Sequence, residues 1–298
     1  MFDSIIDDVK HEFRSGNMLT RLIIINIGIF MVTALVKAFT PVFYDNTFIH
    51  WIALPSSSME LLFKPWTMLT HMFVHAGFWH IIWNMLIFYW FGKIVGDLIG
   101  DRHMLPIYLL GGIAGGVGVL LSYQIIPQYI GSYAIGASAA VMALVIVAGI
   151  INPNHEIRLL FLGIVKIKFI ILFIIFMDLI GIGNKDNTGG HIAHIFGMLM
   201  GWFYMAQLNN GNDLGNRVNN ITDSIFGLFD KDRKPKKKKS PLKVKFKSDK
   251  IKTMAERRAD AGSNNQEQVD QILDKIKQKG YDSLSDAEKD ILFKASKK

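Results

Sequence analysis

Two histidines interrupt an otherwise apolar stretch, GGHIAHIFGMLMGW, at residues 189–202. His191 and His194 lie less than one helical turn apart. A polar side chain in a membrane helix is costly, and by default it marks a functional site. Because an imidazole accepts a proton from a hydroxyl near neutral pH, the stretch is a candidate source of a general base.

The glycines favour His194 over His191 as that base. His194 shares one helix stripe with Gly197 and Gly201, and a stripe of small residues lets a neighbouring helix approach closely. A histidine on that stripe reaches a serine on the facing helix, although a hydrogen bond to a backbone carbonyl is an equally open alternative. We expect His191, about 60° around the helix, to bond the preceding link (181–190) or water.

A candidate nucleophile opens the segment GASAAVMAL at residues 136–144. Ser138 stands among small residues, so a substrate or another backbone can approach it. The N-terminus of a helix also offers free N–H groups to a developing oxyanion. The alternative is that a serine among small residues only packs against another helix.

A third polar group comes from HMFVHAGFWHIIWNM at residues 71–85. His80 and Asn84 share a helix face at i, i+4, and both donate side-chain hydrogen bonds, as an oxyanion hole requires. His71 and His75 precede the helix, and we expect them to bond local backbone.

The elements that must position these groups are long apolar stretches, each near the ~20 residues that a membrane helix needs. Six are predicted, at residues 19–39, 77–96, 104–125, 136–152, 168–183 and 189–208. The fold class is therefore an all-α membrane protein, a bundle of six transmembrane helices with a basic, partly disordered cytoplasmic tail. Since the chain has no cysteine, disulfides, thiolate metal sites and cysteine nucleophiles are excluded.

The charges divide the chain into a neutral body and a basic tail. Residues 1–208 hold 11 Lys/Arg and 11 Asp/Glu, so the tail carries the whole net charge of +8. We predict four parts: an N-terminal cytoplasmic, amphipathic segment (1–18), the membrane domain (19–208), a basic linker (209–262) and a small helical hairpin (263–298). The linker holds 11 Lys/Arg within residues 231–250, which favours anionic lipid at about 1 kcal/mol per residue. The alternative is a solvated linker, and nucleic acid is not expected as a partner.

The distribution of Lys and Arg predicts the orientation. Basic residues are retained on the cytoplasmic side, and they cluster before the first span, after the second and fourth spans, and in the tail. Both termini are thus predicted to be cytoplasmic, so spans two, four and six start on the outer side. Each of these spans carries its polar residues in its first two turns, so the three sets are expected at a similar depth.

The ordered set H-x3-H-x4-H-x3-N, then G-x-S, then A-H-x-x-G-x3-G on a last span resembles the rhomboid family of intramembrane serine proteases. The resemblance covers roughly residues 60–205. It implies that Ser138 is the nucleophile and His194 the general base, with His80, Asn84 and the Ser138 N–H holding the oxyanion. No carboxylate is expected to orient His194, so the predicted catalytic unit is a dyad.

The resemblance also suggests supporting residues and has three departures. The supporting residues are His75, Trp66, Met142, Gly197 and Gly201. Ala139 follows the serine where the family usually has glycine. Thr67 replaces the arginine that often follows the loop tryptophan, and Met142 replaces a tyrosine that often stacks on the histidine.

Two alternatives remain open beside the protease. One is a catalytically inactive relative that only binds membrane clients, and the other is a histidine-box membrane metalloenzyme. The favoured interpretation needs no cofactor and no metal, and it takes transmembrane proteins as substrates. We expect a bacterial inner membrane as the location; the sequence does not predict the oligomeric state.

Overall fold

A computed structural model describes residues 2–125, 132–159, 163–185, 187–227, 269–280 and 283–295. The chain forms two compact units, one up to Arg233 and one from Lys234 onward. The predicted lipid-binding stretch 231–250 lies outside the described residues.

The first unit is helical. Its eight main helices are α1 (Phe2–Ser15), α2 (Met18–Phe39), α3 (Phe78–Ile99), α4 (Met104–Ile125), α5 (Ser138–Ile151), α6 (Ile167–Asn184), α7 (Thr188–Asn209) and α8 (Leu214–Gly227). Short helical segments occupy Pro41–Phe43, Tyr44–Phe48, Ile49–Ile52, Ser58–Phe63, Thr67–Thr70, His71–Phe73 and Asp101–His103. Two small antiparallel pairs complete the unit: β1 (Leu54–Pro55) with β2 (Tyr133–Ala134), and β3 (Glu156–Leu159) with β4 (Gly163–Lys166).

The six predicted spans coincide with helices α2 to α7 to within a few residues, and the all-α membrane class is confirmed. Among the described residues, four helices are long and apolar enough to cross a membrane: α2, α3, α6 and the segment Asp101–Ile125 that contains α4. Helix α5 has 14 residues, about 21 Å, which is less than the ~30 Å hydrocarbon layer. If α5 runs across the bilayer, at least one of its ends therefore lies within the hydrocarbon layer. The number of six membrane crossings stays a prediction.

Helix α5 packs between α4 and α7 through small residues. A Cβ at Gly115 of α4 would overlap the Cβ of Ala139, and a Cβ at Gly197 of α7 would overlap the Ala139 carbonyl. The same contacts recur one turn later around Ala143, against Gly111 and Gly201. The glycine-rich stretch of α4 is therefore a site of close helix packing, as its spacing predicts.

The link between α6 and α7 is shorter than its glycines suggest. GIGNKDNTGG at residues 181–190 reads as a flexible cap over the site, yet α6 continues to Asn184 and α7 begins at Thr188. Helix persists through the glycines because backbone groups in a membrane have no alternative to intrahelical hydrogen bonds. The predicted spans leave residues 184–188 between them, which agrees with these ends, and a moving cap at residues 181–190 stays a prediction.

The second unit contains two described helices, α9 (269–279) and α10 (Asp286–Ala295). Gly280, with φ of +79°, ends α9. Ser285 donates its N–H to Glu288 Oε2 at 2.7 Å, and the Glu288 N–H returns to Ser285 Oγ at 3.4 Å. This reciprocal pair is a capping box. Lys275 of α9 pairs with Glu288 at 2.8 Å, which joins the two helices.

Candidate active site

Polar side chains from α3, α5 and α7 converge on one cavity of about 510 Å³. Ser138, His194, His80 and Asn84 all line it, together with Met142. These residues are 114 positions apart in sequence at the extremes, so only the packing of the bundle brings them together. The cavity is therefore the candidate active site.

Ser138 is the first residue of α5, where the N–H groups of the first turn have no intrahelical acceptor. The preceding Gly136 has φ of +137°, a conformation that side chains rarely adopt. Its N–H donates to the His71 carbonyl at 2.9 Å, which ties this turn to the loop before α3. Ser138 thus lines the cavity from a turn that is tied in place at the start of α5.

His80 presents a proton donor to this turn. The Ala76 N–H donates to His80 Nδ1 at 3.2 Å, so a neutral ring carries its proton on Nε2. A Cβ built on Gly136 would lie 3.3 Å from His80 Nε2 and 3.6 Å from Ser138 Oγ. The two atoms therefore flank the same point, where a side chain at position 136 would block the site.

Two neighbours hold the His80 region in place. Asn84 donates one amide hydrogen to the His80 carbonyl at 2.8 Å, which leaves the second hydrogen of the same amide available to the cavity. His75 packs edge-on against the His80 ring, with centroids 5.2 Å apart.

The two loop histidines differ in their partners. His71 Nδ1 bonds the Thr67 carbonyl at 2.9 Å, so the expectation of local backbone bonding is correct there. For His75 it stays a prediction: among the described residues, neither ring nitrogen has a partner of ordinary hydrogen-bond geometry, while the Phe73 carbonyl acts on the ring. Burial lowers the pKa of His75 to about 4; His80 adds to the lowering, and the Phe73 carbonyl opposes it. His75 is thus a neutral packing partner of His80.

The structure adds a carboxylate that the sequence analysis did not assign to the site. Asp178 of α6, with 3% of its surface exposed, accepts from His194 Nδ1 at 2.8 Å. The same oxygen, Oδ1, accepts from His191 Nδ1 at 2.7 Å. Two predictions are therefore wrong: that no carboxylate orients His194, and that His191 bonds the preceding link or water.

The hydrogen bond to Asp178 fixes the tautomer of His194. An ionised carboxylate only accepts, so Nδ1 of His194 carries the proton and Nε2 keeps its lone pair. Since His194 lines the same cavity as Ser138, this is the tautomer that a general base for the serine requires.

The arrangement needs Gly181 as well, one turn after Asp178 on α6. A Cβ at Gly181 would overlap the His191 ring, so the glycine makes the space in which His191 reaches the carboxylate. A signal for this cluster was available in the sequence. Asp178 is the one acidic residue within the six predicted spans, and an ionisable residue at such a place marks a functional site.

The remaining predicted site residues differ in how close they lie to Ser138 and His194. Gly197 lies one turn after His194 and lets α7 approach Ala139, next to the serine. Gly201 makes the equivalent contact farther along α7, with Ala143. Trp66 stacks on Trp51 at 5.7 Å and donates to its carbonyl at 2.8 Å, so it lies in the first loop and outside the lining of the cavity.

Comparison with known proteins places this geometry in a family. The Rhomboid domain matches residues 62–210, half of the chain. The chain is a member of the rhomboid family. The matched range contains the five residues described above, Ser138, His194, His80, Asn84 and Asp178.

Several curated proteins resemble this rhomboid over part of their length. It is 34% identical to Rhomboid-related protein 1 of Caenorhabditis elegans over 47% of this chain and 39% of that protein. It is 27% identical to the mitochondrial RHOMBOID-like protein 12 of Arabidopsis thaliana, over 64% and 58%. It is 29% identical to Rhomboid protease GluP of Bacillus subtilis, over 48% and 26%. The chain thus spans about a quarter to three-fifths of the length of these relatives.

A second family covers the C-terminal unit. Residues 256–298 match a family of unknown function, DUF6576. Of this range, residues 269–280 and 283–295 form the helical pair described above.

The rhomboid is an integral membrane protein. Its relatives come from a bacterium, an animal and a plant, so the bacterial origin stays a prediction.

Proposed function

We propose that this rhomboid is an intramembrane serine endopeptidase that cleaves transmembrane or membrane-associated proteins near the outer face of the bilayer. The observation that carries the proposal is the cavity itself, in which Ser138, His194 and His80 meet from three helices. Relatives named as rhomboid proteases support the same reaction class.

In the proposed reaction, Ser138 Oγ attacks the scissile peptide carbonyl while His194 Nε2 takes the hydroxyl proton. Nε2 then gives this proton to the leaving amine, which frees the first product. Water then reaches the acyl-enzyme through the cavity, gives one proton to His194 and adds to the acyl carbon. His194 returns that proton to Ser138 Oγ as the ester bond breaks and the acid leaves.

The oxyanion is held by donors that do not move during the reaction. These are the Ser138 N–H at the start of α5, the Nε2–H of His80 and the free amide hydrogen of Asn84. Each such donor typically contributes a factor of about 10²–10³ to the rate.

Asp178 acts in this scheme as a positioning residue. It holds the proton on Nδ1 of His194 and stabilises the imidazolium that forms when the ring takes the serine proton. The proposed unit is therefore a serine, a histidine and an aspartate, the last of which also binds His191.

Comparing wild type with Ser138→Ala tests this function. Both are expressed in membranes together with a panel of single-span proteins, and cleavage is followed by a shift in product size. We expect cleavage by wild type and none by Ser138→Ala. Ser122→Ala is the matched control, because that serine donates only to the Val119 carbonyl within its own helix. Equal cleavage by wild type and Ser138→Ala contradicts the proposal, and no cleavage by any variant favours a client-binding relative.

The trio of Asp178, His191 and His194 also gives a specific observation in favour of the metalloenzyme alternative, since two histidines and a carboxylate are common metal ligands. The two functions separate cleanly. A serine protease keeps its activity in EDTA, whereas a metalloenzyme loses it and regains it with a transition metal.

The orientation belongs to the same proposal. With both termini in the cytoplasm, α3, α5 and α7 begin on the outer side, and the start of each helix carries the polar residues of the cavity. We further propose that residues 231–250 bind anionic lipid of the cytoplasmic leaflet.

A further inference from the structure

Asp178, His191 and His194 form a cluster whose ligand atoms all lie within 4.8 Å of one another. Two imidazole nitrogens and a carboxylate oxygen make a donor set that Zn²⁺ takes in proteins, with a fourth position left for water. We propose that this cluster is an inhibitory zinc site, in which one Zn²⁺ replaces the two Nδ1 protons that now point at Asp178.

The present geometry needs small shifts to accept the ion. Both Nδ1 atoms lie 2.7–2.8 Å from Asp178 Oδ1. Tetrahedral bonds of about 2.0–2.2 Å place ligand atoms roughly 3.4 Å apart. The two rings therefore retreat from the carboxylate by less than about 1 Å, a movement within the reach of side-chain torsions.

The second carboxylate oxygen supplies an independent indication of a missing ligand. Asp178 Oδ2 is buried and, among the described residues, has no hydrogen-bond partner. A buried oxygen without a partner costs about 1–3 kcal/mol, and turning it toward a cation gives it a partner. The ion has a path to the cluster, because His194 lines the cavity and the histidine side chains are 20–22% exposed.

Zinc at this position stops His194 from acting as a base. A neutral imidazole has one lone pair, and coordination through Nδ1 uses it. The ring proton must then be on Nε2, the nitrogen that has to take the proton of Ser138. The metal thus selects the inactive tautomer, whereas the hydrogen bond to Asp178 selects the active one. This inhibition rests on the proposed function, but binding of the ion does not.

Binding is measured on the Ser138→Ala protein, which keeps the cluster and cannot turn over. Zn²⁺ is titrated in competition with a chromophoric zinc indicator in detergent at pH 7.5. We expect one zinc per chain and an affinity that falls at least about tenfold when His191→Gln or Asp178→Asn is added. His155→Ala is the control, since that residue follows the far end of α5 and should change nothing. Thermal melting identifies any variant that does not fold.

Inhibition is measured on the otherwise native protein by the rate at which a fluorophosphonate labels Ser138. Zinc should slow labelling at the concentration that fills the site, EDTA should restore it, and His191→Gln should raise the half-inhibitory zinc concentration at least about tenfold. Equal zinc affinity in the His191→Gln and His155→Ala proteins overturns the site. Stoichiometric binding at the cluster with an unchanged labelling rate overturns the inhibition. A protein that binds zinc at the cluster but never labels, even in EDTA, supports the site and contradicts the proposed function.

Discussion

Replacing Asp178 by Asn tests how far the reaction depends on the orientation of His194. The change keeps the size of the side chain and removes the charge that both histidines approach at 2.7–2.8 Å. A hydrogen bond to a charged group contributes about 1.5–3 kcal/mol. Since about 1.4 kcal/mol is a factor of ten, we expect kcat to fall about 10- to 150-fold.

The KM of the Asp178→Asn protein should stay close to that of wild type, because Asp178 is not among the residues that line the cavity. Steady-state cleavage of one substrate in detergent gives both constants, and thermal melting shows whether each variant is folded. Asp213→Asn is the control, since that carboxylate pairs with Arg102 at 3.7 Å beyond the end of α7. A folded Asp178→Asn protein with a kcat within twofold of wild type refutes the positioning role. A rise in KM at constant kcat refutes it equally.

The other predictions concern packing, pH and the tail. Gly181→Ala should lower the free energy of unfolding by about 1–3 kcal/mol, because the new methyl overlaps the His191 ring. Gly183→Ala is the control, since its methyl meets open space and should leave the stability unchanged. Thermal melting of both proteins tests this difference. Burial lowers the pKa values of His71 and His75 to about 4. Between about pH 6.5 and pH 4 the unfolded chain therefore binds more protons than the folded chain. The free energy of unfolding should thus fall as the pH falls through that window. A melting temperature in detergent that is flat from pH 7 to pH 4 contradicts this assignment. Truncation after residue 230 should leave cleavage in detergent intact and abolish salt-sensitive binding to anionic vesicles, and loss of cleavage by a folded truncated protein contradicts that division.

The helices and most of the cavity could be predicted because their signals are local. An apolar run of about 20 residues has few alternatives in a membrane, so the predicted spans and the observed helices agree closely. Four cavity residues are recognisable as polar groups in apolar stretches of sequence: Ser138, His194, His80 and Asn84. The stripe of Gly197 and Gly201 also indicated which face of the last helix meets α5.

The partner of His194 could not be predicted in the same way. Asp178 is 16 residues away on another helix, so the pairing depends on how α6 and α7 rotate against each other. That rotation depends on Gly181, whose missing side chain leaves room for a ring. The sequence marks Asp178 as a charge within an apolar helix, but it does not show which residue Asp178 pairs with.

The predicted spans place the link between α6 and α7 at residues 184–188, close to the observed helix ends. Glycines in a soluble chain indicate a loop, but in a membrane helix they allow close packing while the backbone stays hydrogen-bonded. Helix α6 ends at Asn184 and α7 begins at Thr188, and Lys185 and Asn187 adopt positive φ values of 60° and 44° between them.

Mapping a fluorophosphonate adduct by peptide mass spectrometry tests the central claim most directly, that Ser138 is activated by His194. We expect a single adduct on Ser138 in wild type, near-normal labelling in His191→Ala, and no labelling in His194→Ala. Thermal melting curves should show that all three proteins are folded. An adduct on another residue contradicts the claim. So does labelling that survives in His194→Ala and disappears in His191→Ala.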